Sequence, residues 1–88
     1  SLFVLQPVLG EMEQKAVRPY QEKRITAGEA IRAAADVHKR FMLRHTRKQD
    51  LALFLQLSGA KGVQAPEDTP FLTVVPAFVI SELKTALI

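Results

Sequence analysis

The chain holds 88 residues, 48% of them apolar and 24% charged, with a formal net charge of +3 and no cysteine. That length allows one domain over 1–88 and buries only about 60–65% of the unfolded surface, while the lack of cysteine removes disulfide and thiolate-zinc staples. The apolar balance excludes a disordered chain, and the longest uncharged run, TPFLTVVPAFVIS from Thr69 to Ser81, falls short of the about 20 residues that a bilayer crossing needs. Stability must therefore come from dense helix packing and self-association.

Punctuation divides the chain into four or five helical pieces. The first runs roughly from Pro7 to Arg18, with Pro7 tolerated in a first turn and Pro19 marking the break. The second is announced by ITAGEAI, where Thr26 as N-cap and Glu29 three residues later form a capping box. It is expected over Ala27 to about Leu43, with Ala30, Ile31, Ala34, Val37, His38, Phe41 and Met42 on its apolar face. A second capping box, Thr46 with Gln49, predicts a bend near His45 and a new helix over about Arg47 to Leu57. The alternative is one long helix over 27–57. The segment DLALFLQL is apolar nearly all round, which suits a central helix or one shared with another subunit.

Gly59 is a natural C′ residue, and GAKGVQAPED reads as an exposed loop. Thr69-Pro70 predicts a short turn with Thr69 as N-cap and Pro70 at the first helical position. Pro76 is expected to push Val75 out of the α region and to start the final helix. No alternation lasts long enough for a sheet, FLTVV being the one candidate strand, so the fold class is all-α, a small bundle of short helices.

The chemistry-bearing residues do not gather into an enzyme. His38 and His45 lie seven apart without the further ligands that a metal site needs, so structural positions outweigh ligation. No paired carboxylates, activated nucleophile or glycine-rich phosphate loop stands out. No cofactor is expected, and no catalytic activity. Between Arg32 and Lys48 there are six Arg or Lys and one Asp, a local +5. Such a cluster attracts phosphates of nucleic acid or anionic lipid, with Arg40, Arg44, Arg47 and Lys48 as the basic face. The next helix lacks base-reading side chains, which disfavours nucleic acid. A solvated basic face, with Asp50 paired to Arg47 or Arg44, explains the cluster equally well. Phe41 and Phe54 fit either a core or a subunit contact, because a chain this short leaves apolar surface exposed.

Three stretches, FMLRHTRKQDLALF (Phe41 to Phe54), PEDTP (Pro66 to Pro70) and VVPAFVISELKTALI (Val74 to Ile88), resemble the FliP family of the flagellar type III protein export apparatus. ITAGEA and the segment from Pro7 to Tyr20 fit that family more loosely. The resemblance implies the hydrophilic, periplasmic segment between the second and third of four transmembrane helices in an inner-membrane protein of the flagellar basal body. It further implies a homo-oligomer that joins other small membrane subunits, FliQ and FliR, in a gate passing exported flagellar proteins as cargo. Relatives occur in virulence secretion systems. On the matched motifs, Phe41, Phe54 and Glu82 are the expected self-assembly residues, with a cation needed to balance Glu82 if it is buried. Arg44 or Arg47 from another helix is preferred to Lys84, which two residues away points elsewhere. PAFVISELKTALI (Pro76 to Ile88) is then expected to be the opening turns of a membrane helix that continues past Ile88.

Overall fold

The computed structural model describes residues 5–87, and every regular element among them is helical. Ile88, the end of the expected final helix, lies outside these residues. The elements in chain order are α1 (Leu5–Met12), a π-helical turn (Glu13–Val17), α2 (Arg18–Gln21), α3 (Ala27–Arg44), α4 (Lys48–Ser58), a 3-10 turn (Pro66–Asp68) and α5 (Phe71–Leu87). They fall into two units, Ser1–His38 and Lys39–Ile88.

In the first unit, helix runs without a break from α1 through the π turn into α2, so Pro19 does not end it. The physical reason lies one turn earlier. A proline in a helix lacks an N–H and its ring crowds the carbonyl four residues back. The π turn widens the backbone there, and the Arg18 N–H bonds the Glu13 carbonyl five residues behind it. Pro19 itself is buried, as are Val8 and Ala16. The run closes at Lys23, whose φ of 60° is left-handed. Lys23 N–H bonds the Tyr20 carbonyl at 3.0 Å and Arg24 N–H the Pro19 carbonyl at 2.9 Å, the paired bonds of a Schellman ending.

Helix α3 starts as its sequence predicts. Glu29 N–H donates to Thr26 Oγ1 at 3.1 Å, and Thr26 N–H donates to Glu29 Oε1 at 2.9 Å. Val37, Phe41 and Met42 are buried, whereas Ile31, expected on the same face, is 70% exposed. It borders an open apolar groove shared with Ala16, Val17, Tyr20, Ala30 and Ala34.

In the second unit, α4 packs against α5. The chain does break after Arg44, but Thr46 is not the cap: its hydroxyl donates to the Met42 carbonyl at 2.6 Å and closes α3 instead. The N-cap residue is Arg47, so the third helical position is Asp50 and not Gln49. Gly59 ends α4 with φ 68°, the left-handed value that glycine adopts without a Cβ penalty. Of the apolar α4 residues, Leu51 is buried and Leu53 and Leu57 are exposed, so the helix buries one face and is not central. The loop after α4 holds the Pro66–Asp68 turn, braced by Ala65 N–H donating to Asp68 Oδ2 at 3.1 Å.

The largest correction concerns the last third. Residues 71–75 are helical, and Pro76 lies inside α5 without starting it. The first α5 bonds run from Thr73 and Val74 N–H to the Pro70 carbonyl, while the Thr69 hydroxyl is buried without a partner and caps nothing. Pro76 removes the bond to the Leu72 carbonyl, at a cost of about 3 kcal/mol in a helix interior. Burial of Thr73, Val74, Ala77 and Ser81 along one face offsets that loss, and Leu72 itself stands open to water.

Candidate functional site

Helix α5 presents two chemically different faces. Thr73, Val74, Ala77 and Ser81 recur at helical spacing on the buried side, and Lys84 and Thr85 continue that line by a further turn. Leu72, Val79, Leu83 and Leu87, at i, i+7, i+11 and i+15, mark the other side and are 83%, 44%, 53% and 86% exposed.

On the inner side, the SELKT segment meets the first turn of α4 through polar contacts. Arg47 N–H donates to Ser81 Oγ at 2.9 Å, and the Ser81 hydroxyl donates to Asp50 Oδ2 at 2.7 Å. The Lys84 ammonium donates to Asp50 Oδ1, and the Arg47 guanidinium reaches Thr85 Oγ1 at 3.2 Å. Asp50 is 2% exposed. A carboxylate so enclosed is costly unless paired, and here both oxygens are satisfied. The Lys84 ammonium holds the Asp50 carboxyl below its ordinary range, helped by the Ser81 hydroxyl and, at longer range, by Arg47; burial pushes the other way. The sequence pointed to Arg47 or Arg44 as the partner of Asp50, whereas its ion pair is with Lys84. The one signal that could have found it is the i, i+3, i+4 spacing of Ser81, Lys84 and Thr85, which sets all three on one face.

The expected assembly residues occupy different depths. Phe41 is 7% exposed, with its ring centroid 4.8 Å from that of His45 and 5.9 Å from that of Phe78, so it belongs to the core of its own unit. Phe54 and Glu82 are half-buried. Arg47, an expected counter-ion for Glu82, is directed at Thr85, and Lys84 at Asp50.

The four cations of the expected basic face differ in their surroundings. Arg40 and Arg44 line a cleft of about 380 Å³ with Leu43, Pro66 and the acidic Glu67. Lys48 borders a groove with Leu51, Leu55 and Val63 that shares Pro66 with that cleft, and Arg47 is turned to α5. His38 Nδ1 lies 3.0 Å from the Ala34 carbonyl within its own helix. Among the described residues no three His, Cys, Asp or Glu gather as metal ligands, and no helix is long and apolar enough to cross a membrane.

The FliP family model matches residues 1–88. The flagellar biosynthetic protein FliP of Pectobacterium carotovorum subsp. carotovorum is 43% identical over 86 residues, covering 98% of this chain and 33% of its own length. The same-named protein of Bacillus subtilis is 40% identical over 86 residues, covering 98% and 39%. That of Aquifex aeolicus is 35% identical over 88 residues, covering 98% and 37%. The chain thus spans roughly a third of the length of these relatives.

Proposed function

Because the chain belongs to the FliP family of flagellar biosynthesis proteins, we propose that it is a non-enzymatic assembly domain of the flagellar type III export gate. In this reading it associates with copies of itself and supports assembly with the membrane subunits FliQ and FliR, for passage of exported flagellar proteins. It lies on the periplasmic side of the inner membrane, within the basal body. The observation that carries the reading is the outer face of α5, where Leu72, Val79, Leu83 and Leu87 form an apolar line left uncovered by the chain's own packing. Contiguous apolar surface of this kind marks contact sites. Phe54 and Glu82, half-buried, belong to the contact surface, and Phe41 supports it from within the core. A phosphate-binding role lacks comparable support, since Glu67 shares the cleft of Arg40 and Arg44 and the Arg47 guanidinium is directed at Thr85.

The test is secretion of flagellar proteins by cells whose full-length protein carries Val79→Asp with Leu83→Asp in this segment. Secretion is expected to fall at least ten-fold with the protein still present in the membrane. Wild-type secretion from the variant would contradict the proposal.

A further inference from the structure

Helix starts are usually capped by their own flanking residues: an N-cap side chain accepts from the third helical N–H, and the third residue's carboxylate accepts from the N-cap N–H. Helix α4 lacks the first half, because Arg47 stands at the N-cap and a guanidinium accepts no hydrogen bond. The second half is present but interrupted. Asp50 occupies the third position, yet the Arg47 N–H does not reach its carboxylate directly. The Ser81 hydroxyl of α5 sits between them, accepting from Arg47 N–H at 2.9 Å and donating to Asp50 Oδ2 at 2.7 Å. The nearby hydroxyl that could serve as a local cap, Thr46, is committed to the Met42 carbonyl.

We infer that the first turn of α4 is a conditional element: its capping box is completed by Ser81 in trans, so it holds its form only while α5 is seated. Lys84 and Thr85 restrain the same register, one through Asp50 and the other through the Arg47 guanidinium. The device is sensitive to small movements. One residue along a helix is a 1.5 Å rise, and a slide of about that size stretches or tilts hydrogen bonds that span 2.7 Å and 2.9 Å. A displacement of α5 along its axis is therefore read out at the start of α4 as a weakened cap. This coupling stands independently of any assembly role.

Amide hydrogen exchange on the whole chain tests the inference. Ser81→Ala is expected to speed exchange at Arg47, Asp50 and Leu51 by about five-fold or more, the effect of losing a cap, with Val37 and Ala77 amides little changed. Thr46→Ala is expected to leave Arg47, Asp50 and Leu51 unchanged. Arg47→Ser added to Ser81→Ala supplies a local N-cap and is expected to restore protection at Asp50 and Leu51. Unchanged exchange in Ser81→Ala, or an equal effect of Thr46→Ala on these three amides, overturns the inference. Should Ser81→Ala unfold the chain, the double variant decides: recovery of the fold supports a cap supplied in trans, and failure to recover overturns it.

Discussion

Asp50 shows how one residue couples sequence, burial and pH. Its carboxylate is enclosed by Ser81 and Lys84, and its pKa lies below the ordinary 3.8. A depressed carboxylate contributes stability that is fully present above its unfolded pKa and is lost as pH falls through the folded value. Glu29, lowered from 4.5 by the Thr26 backbone N–H and then by its hydroxyl, acts in the same direction. Thermal unfolding should therefore be flat from pH 7 to about 5 and fall below about pH 4. Asp50→Asn should lower the melting temperature at neutral pH and reduce the acid drop, leaving the part due to Glu29. A variant with an unaltered acid limb would remove Asp50 from the account. The sequence around Asp50 does not by itself identify its partner. Helical spacing offers Asp50 only neighbours within a few positions, and Lys84 is 34 residues away.

At the scale of elements, the two internal prolines separate what local rules capture from what they miss. The Thr26–Glu29 box and the Gly59 ending are complete within a few residues, and the structure reproduces both. Pro19 and Pro76 were expected to end or begin helices, and both sit inside helical runs. Each proline removes one hydrogen bond, but whether the helix continues depends on what the surrounding turns bury. Around Pro19 the backbone adapts by a π turn, and around Pro76 the buried face of α5 holds the helix together. Pro76→Ala should consequently stabilise the chain, by up to about 3 kcal/mol, seen as a higher denaturant midpoint. A lower midpoint would mean that the proline ring is needed for packing. The misplaced N-cap at Thr46 has a similar origin. A hydroxyl just before a helix can also close the helix behind it, and only packing decides between the two.

For the whole molecule, the all-α class was legible from punctuation and periodicity, and the family from the motifs FMLRHTRKQDLALF and SELKTA. The roles of those motifs were not. SELKTA carries the inner contact through Ser81, Lys84 and Thr85, while Val79 and Leu83, interleaved with it, face outward. The two faces are separable because residues two apart on a helix point to different sides. In the proposed assembly, the outward line of α5 joins copies of this domain. Sedimentation velocity over a wide concentration range measures it directly. The wild-type chain is expected to move from monomer to oligomer as concentration rises, and Phe54→Ala should weaken that shift. Val79→Asp with Leu83→Asp should stay monomeric with wild-type helix content. Phe41→Ala, by contrast, should lose about 3–5 kcal/mol of stability as a core truncation. A wild-type chain that remains monomeric at the highest concentration, or a double variant that still assembles, would contradict the account.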